Sequence, residues 1–386
     1  MGIWCRGCIV IVVAVVAPLA RALSSSAGSS MAQKICKESK LELELLRAHF
    51  PEFSTVSAKV DNADRCSTSL ITNPTLAKEY LKQFDAVLFD CDGVLYRGAD
   101  AIPYAGATVR WLMEQSIKVL FVTNNAGKSR LELRDKLAPL LDCQDLLQED
   151  QMVGSAYSCA RYLQQSLLGG GDIDGPSAEE QKVHVVHVIG SEGLCREIEK
   201  AGFAVNKVSP ELSTSMSAEE VGSINDDEHI VVDAVVIGLD TAFNYRKLCM
   251  ASYHLHRNPD CLFIATNEDA YDVVGSSRFQ PGNGCIVKAV EHSSQRHACN
   301  VGKPSKILVD LIREEHGFDP KKALMIGDRL DTDVMFGHAG KMNTCSVLTG
   351  CTTAQNLLDL RGSGNECVLP TVVIPYIGLG MEDADA

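Results

Sequence analysis

Short apolar runs rich in β-branched and aromatic residues recur at 86–89, 119–122, 184–189, 234–237, 262–265 and 323–326, each leading into polar residues. Between them the period changes to that of helices. Trp111 and Leu112 lie in one helical segment, and Ile307, Leu308, Leu311 and Ile312 form the i, i+1, i+4, i+5 stripe of another, which Gly317 is placed to end. Alternating strand and helix predict an α/β fold, a doubly wound parallel sheet with helices on both faces. Two stretches break the pattern and are expected as loops: Gly169-Gly170-Gly171 through Pro176, and the polar, acidic 209–228.

At 386 residues the chain suits a core plus an insertion better than one average domain. Its 36 Lys and Arg stand against 50 Asp and Glu, and the net charge of −14 opposes binding to a nucleic-acid backbone. An anionic substrate would therefore need local positive charge at its site. The 15 cysteines are scattered, with one C-x-x-C at Cys5 to Cys8, and read as reduced, buried thiols rather than a zinc site or disulfide framework.

The run 9–20 is apolar, follows an early arginine and leads into Ala20-Arg21-Ala22, the small-x-small pattern of a cleaved signal peptide. With Pro18 inside it, the run falls short of the roughly 20 residues that span a bilayer, so no stable membrane span is expected. The serine-rich 24–30 would begin a second, organelle-directing peptide, plastid import being one such route. Met31 would start a cytoplasmic form, and the sequence leaves these destinations open.

Four motifs carry candidate chemistry. In Phe89-Asp90-Cys91-Asp92-Gly93-Val94 a strand delivers two carboxylates into a glycine turn. One can attack phosphorus, and the other can protonate a leaving oxygen and then activate water. Alone, this is equally a calcium-like loop or a solvated turn. Thr123, Asn124 and Asn125 end a second strand with donors suited to phosphoryl oxygens, or with a helix cap. Lys303, in Val301-Gly302-Lys303-Pro304, precedes a helix and can offset phosphoryl charge, or is a surface lysine. Gly327-Asp328-Arg329-Leu330-Asp331-Thr332-Asp333 ends a third strand in acids of the kind hard cations prefer, or in a solvated turn.

In this order the motifs resemble those of the haloacid dehalogenase superfamily of phosphatases over about 84–373. The branch holding phosphoglycolate phosphatase, pyridoxal phosphate phosphatase and the 4-nitrophenylphosphatases is the most similar, on Gly327 to Asp333, Thr266-Asn267 and Gly302-Lys303-Pro304-Ser305. The resemblance implies that Asp90 is a nucleophile forming an aspartyl-phosphate and that Asp92 is general acid, then base. Thr123, Asn124 and Asn125 would hold the phosphate and Lys303 would neutralise it. Mg2+ would sit on Asp90, the Asp92 carbonyl and Asp328, with Asp333 behind them and Asp331 behind them or unused.

More than a hundred residues separate Asn125 from Lys303, so an inserted cap must follow the second motif, unlike the superfamily's mutases and dehalogenases. The expected layout is a leader at 1–30, an extension with helical segments at 31–82, core at 83–167 and 280–376, an α/β cap at 168–279 and an acidic tail at 377–386. Caps of this branch commonly pair two subunits, which implies a homodimer.

Thr266-Asn267-Glu268-Asp269 resembles the phosphoglycolate type, while Tyr271-Asp272-Val273 stands where the pyridoxal phosphate type has Trp-His-Pro. The expected activity is hydrolysis of a small phosphorylated metabolite, phosphoglycolate first. A pyridoxal phosphate, broad-specificity 4-nitrophenyl or protein phosphatase, or a binding protein without chemistry, are the alternatives. Gly127-Lys128-Ser129 lacks the upstream glycine of a P-loop and reads as a helix start. His184 and His187 differ in strand parity and cannot jointly bind a metal, and Cys91 reads as packing.

Overall fold

The computed structural model describes residues 31–49, 68–169, 183–223, 231–274, 278–362 and 368–385. The leader reading at 1–30 and most of the loop reading at 169–176 lie outside the described residues.

In chain order the strands are β1 (Ser69–Leu70), β2 (Ala86–Phe89), β3 (Tyr96–Arg97), β4 (Asp100–Ala101), β5 (Lys118–Thr123), β6 (Met152–Gly154), β7 (Val185–Ile189) and β8 (Ala204–Asn206). They continue as β9 (Ala234–Ile237), β10 (Leu262–Ala265), β11 (Tyr271–Val274), β12 (Arg278–Pro281), β13 (Cys299–Asn300), β14 (Ala323–Gly327), β15 (Asn343–Val347) and β16 (Val372–Ile374). Seven form one parallel sheet in the order β1-β16-β15-β14-β2-β5-β6. Five form a second parallel sheet in the order β13-β10-β9-β7-β8.

The central strand β2 is buried on both faces, which is why it is a continuous apolar run rather than an alternating one. Val87 and Phe89 pack on one side with Phe121 and Ile326, and Ala86 and Leu88 on the other with Leu120 and Met325. The chain leaves β2 toward β5 and β6 and later returns to its other side as β14 and β15. The order thus reverses at β2, and its carboxyl end is where open α/β sheets place a ligand.

Three boundaries differ from the sequence reading. The inserted unit extends past 279: the helix Asn283–Ser294 buries Ile286, Val287 and Val290 against Val235, Ile237 and Leu255, and β13 pairs with β10. That helix carries its apolar side into the second sheet, so the chain returns to the core only near Lys303. The polar stretch 209–228 holds a short helix, Ala218–Ser223, opened by reciprocal Ser217 and Glu220 hydrogen bonds. Arg246 binds the carbonyls of Ser213 and Ser215 there, at 2.6 and 2.9 Å.

The tail is no free acidic end. Its 3-10 helix, Ile377–Asp385, buries Ile377, Leu379 and Met381. The N-terminal helix Met31–His49 buries Leu43 and Leu46 against Leu348, Leu357 and Val373, and Lys40 pairs with Glu382 at 2.7 Å. Among the described residues no helix is long and apolar enough to cross a membrane.

The second sheet is fastened to the core. Ala156, Cys159 and Leu163 of the helix Ser155–Leu167 share one apolar cluster with Val186, Val188, Leu194 and Ile198. Buried Glu197 accepts the Arg130 N–H at 2.7 Å, and Ser191 donates to the Ala126 carbonyl at 3.0 Å.

Candidate active site

Asp90 leaves the end of β2 with its N–H donated to the Ile326 carbonyl at 2.8 Å. The turn beyond it passes Gly93 at φ +81°, left-handed backbone that glycine adopts without strain, and returns through the β3–β4 hairpin as a short flap. Lys303, 2% exposed, extends its ammonium to Asp90 at 2.6 Å, to Asp333 at 2.7 Å and to the Val122 carbonyl at 2.8 Å. Carboxylate oxygens of Asp90, Asp328 and Asp333 all lie within 4.8 Å of one another.

Asp328 is placed by long-range contacts. Its Oδ2 accepts the Cys351 N–H at 2.6 Å, and its backbone N–H and that of Arg329 donate to Asp333 Oδ2 at 3.1 and 3.0 Å. The carboxylate fills a cradle that side chains would close, since a Cβ on Gly350 would lie 1.8 Å from Oδ2 and one on Gly93 2.5 Å from it. Thr349 donates to the Gly93 carbonyl at 2.5 Å and ties the same loop to the turn after Asp90.

The structure therefore gathers Asp90, Lys303, Asp328 and Asp333, four of the residues singled out in the sequence. Asp333, expected behind the others, has its carboxylate within the same 4.8 Å group, where it pairs with Lys303 and accepts the Asp328 and Arg329 N–H groups. Asp331 stands apart, two-thirds exposed and paired with Arg329 at 2.9 Å. Asp92 is exposed and outside the three-acid group. Thr123 is buried, and its oxygen accepts the Asn125 N–H at 3.2 Å, which leaves its hydroxyl proton to donate.

Of the other two expected phosphate holders, Asn124 has its whole amide engaged elsewhere and Asn125 only its oxygen. Asn124 Oδ1 accepts the Lys303 N–H at 2.7 Å, and its Nδ2 donates to the Lys303 carbonyl at 3.1 Å and to Asp269 at 3.0 Å. Asn125 Oδ1 accepts the Gly127 N–H at 2.7 Å in a tight turn before the helix Arg130–Leu140. These partners are remote in sequence for Asn124, whose Nδ2 donors they take up, and local for Asn125, whose acceptor oxygen alone is used. The Nδ2 group that a phosphate oxygen would need is therefore spent in Asn124 but not in Asn125. Glycine at 350 and the backbone N–H of Cys351 escaped the sequence reading, because their role is a close approach to Asp328 with no signal of its own.

Electrostatics follow from three acids around one ammonium. Burial alone would push the Lys303 ammonium down, but Asp333 and Asp90 outweigh it and hold it protonated well above the ordinary range. Burial raises the Asp90 carboxyl, Lys303 pulls against it, and Asp333 and Asp328 add to the rise. Asp328 is pushed up to about 7 by burial and then Asp333, against the Cys351 N–H, Arg329 and Lys303. Partial withdrawal from water also raises Asp92, with Lys136 and Arg97 opposing and Asp272 adding. Cys91 is buried and its thiol pushed far up, by burial first and then Asp90, consistent with packing.

The surplus negative charge and the all-oxygen donor set fit a hard divalent cation. Such an ion must displace the Asp328 proton, so apparent affinity is expected to fall by up to about tenfold per pH unit below about 7 and level off above. Calorimetric titration with Ca2+ or Mg2+ across that range checks it, and a flat profile would mean that the acids are already ionised without the ion.

A family model described as haloacid dehalogenase-like hydrolase matches residues 87–204, and one described as HAD-hydrolase-like matches 300–373. Glycerol-3-phosphate phosphatase of Rattus norvegicus is 35% identical over 301 residues, covering 78% of this chain and 89% of that protein. Phosphoglycolate phosphatase 2 of Arabidopsis thaliana is 35% identical over 282 residues, covering 73% and 88%. Among solved structures, glycerol phosphate phosphatase from Mycobacterium tuberculosis in complex with calcium aligns at TM-score 0.59 and 25% identity, over 78% of this chain and 75% of that one. The chain belongs to the haloacid dehalogenase-like hydrolase family. Within that family it is a phosphatase, a phosphoric monoester hydrolase.

Proposed function

We propose that the protein hydrolyses small phosphomonoesters in two steps through an aspartyl-phosphate on Asp90. The observation that carries this reading is the Lys303 ammonium seated between Asp90 and Asp333, with Asp328 inside the same 4.8 Å cluster. Asp90 Oδ attacks phosphorus as the ester oxygen leaves, and Asp92 gives that oxygen its proton. Asp92 then takes a proton from water, whose oxygen attacks the same phosphorus. The acyl-phosphate bond breaks, inorganic phosphate departs and the Asp90 carboxylate is restored. Lys303 and the Thr123 hydroxyl stabilise the charge on the phosphoryl oxygens. Asp90, Asp328 and the Asp92 carbonyl would hold Mg2+, which when bound supplies positive charge that offsets repulsion between carboxylate and phosphate.

The raised Asp92 carboxyl suits a group that must hold a proton for the leaving oxygen. The fastened second sheet favours small substrates over phosphoproteins, since a polypeptide needs space between cap and core. The test is phosphate release from an aryl phosphate with Mg2+ and with chelator, then a screen of phosphoglycolate, glycerol phosphate, pyridoxal phosphate, nucleotide monophosphates and a phosphopeptide. Activity on the phosphopeptide alone, or none on any, would overturn the reading.

Phosphoglycolate is the first substrate reading, from Thr266-Asn267 and Asp269. An electrostatic relation favours glycerol phosphate: Asp272 adds to the rise of the Asp92 carboxyl, and a carboxylate beside the site would repel a substrate carboxylate while accepting from hydroxyls. An Asp272→Ala variant is expected to raise kcat/KM for phosphoglycolate relative to glycerol phosphate by about tenfold. An unchanged ratio would place Asp272 away from the substrate. A homodimer through the cap, and a leader that directs the chain to an organelle or the secretory route, are part of the proposal. Sedimentation analysis and tagging with and without residues 1–30 test them.

A further inference from the structure

Asn124 and Lys303 are joined by two hydrogen bonds that treat the side-chain amide as a piece of backbone. Oδ1 accepts from the Lys303 N–H at 2.7 Å and Nδ2 donates to its carbonyl at 3.1 Å. The second Nδ2 hydrogen goes to Asp269 on the far side, 3.0 Å from Oδ1 and 3.3 Å from Oδ2. A carboxylate accepts and cannot donate, so it favours the amide orientation that also fits Lys303. With the amide flipped, Asn124 would present oxygen to the carboxylate and mismatch both backbone groups.

Asp269 is itself held by its neighbours. Its N–H donates to Asn267 Oδ1 at 3.2 Å, and Asn267 Nδ2 donates to the Asn124 carbonyl at 2.8 Å. Asn283 donates in turn to the Asn267 carbonyl at 2.8 Å, which carries the seam into the second sheet's helix. Gly302 permits the approach, since a Cβ there would lie 2.2 Å from the Thr266 carbonyl and 2.8 Å from Asn124 Oδ1.

We infer that Asp269 is a positioning residue, through which the docked cap segment 266–269 orients Asn124 and so sets the backbone that aims the Lys303 ammonium at Asp90 and Asp333. The inference rests on the phosphatase reading of Lys303 and adds a coupling between cap docking and assembly of the charged site. It also accounts for an asparagine that the family resemblance gives to phosphate and the geometry gives to lysine.

The experiment is a double-mutant cycle on aryl-phosphate turnover, with melting temperatures measured in parallel. Asp269→Ala is expected to lower kcat/KM about 10- to 100-fold, the scale of a misaligned charged group. Asp269→Asn, which keeps an acceptor oxygen, should stay within about threefold of the parent. In an Asn124→Ala background, Asp269→Ala should cost less than about twofold more, because both act through one path. If Asp269→Ala fails to fold, the swap Asn124→Asp with Asp269→Asn should recover at least about fivefold over Asn124→Asp alone. Equal damage by Asn and Ala at 269, additive costs in the cycle, or no recovery in the swap would each overturn the relay. An inactive Asp90→Asn with a neutral Asp269→Ala would overturn the relay alone, while an active Asp90→Asn would overturn the reading beneath it.

Discussion

Replacing Asp90 with asparagine is expected to lower kcat by at least about 10⁴-fold, the scale of losing a covalent nucleophile. The carboxamide keeps the size and can still accept from Lys303, so the loss would belong to nucleophilicity and charge rather than to packing. Stability should move the other way. The Asp90 carboxyl is raised above its ordinary value, chiefly by burial. A carboxyl raised on folding contributes stability that is present at low pH and lost as pH rises through the raised value. In chelator near pH 8 the parent therefore carries a penalty that the variant lacks, and its Tm should equal or exceed the parent's. Rapid-quench detection of phosphoprotein gives the second readout, with labelled protein in the parent and none in the variant. Near-normal turnover by Asp90→Asn would remove the nucleophile assignment.

The central sheet and most of the charged cluster were legible because the strands that carry them are buried on both faces. That burial makes 86–89 and 323–326 unbroken apolar runs, and the polar residues that follow are then conspicuous. β15 has no such signal: Asn343-Thr344-Cys345-Ser346-Val347 is polar in sequence yet wholly buried. Two of its polar side chains are satisfied from afar, Asn343 Nδ2 by the Lys321 carbonyl at 3.2 Å and Thr344 Oγ1 by the Thr371 N–H at 2.9 Å, while the buried Ser346 hydroxyl has no partner among the described residues. Two-residue strands such as β1 and β13 exist only through their partners and have no period to detect.

The class of activity was legible from the motifs, but the parts played by individual site residues were not, for the same reason. Asn124 ends a strand beside Thr123 and offers the same donors to any anion, but its partners lie 145 and 179 positions away. Asp333 and Asp331 are two residues apart in one acidic turn. One reaches the buried lysine while the other pairs with Arg329 at the surface, a distinction set by how the turn after β14 folds back, with the Asp333 N–H on the Arg329 carbonyl at 3.1 Å.

Lys303→Met is expected to produce the largest combined loss of stability and activity. The side chain is 2% exposed, and methionine keeps much of its volume while removing the cation shared by Asp90 and Asp333. Breaking a buried pair from one side costs about 3–5 kcal/mol, because a charge is left without its partner. In a chain this long that corresponds to a Tm about 5–10 °C lower near pH 8. The cost should shrink as pH falls, since without the ammonium the Asp90 carboxyl rises further and its protonation relieves the cluster. A divalent cation should recover part of the stability by supplying charge to the same acids. Turnover should not return with it, because the phosphoryl oxygens would still lack the ammonium, a loss on the order of 10²–10³-fold. Melting curves from about pH 5.5 to 8.5, with and without Mg2+, separate these terms. A Tm deficit that ignores both pH and cation would mean that Lys303 holds the fold by packing rather than by charge.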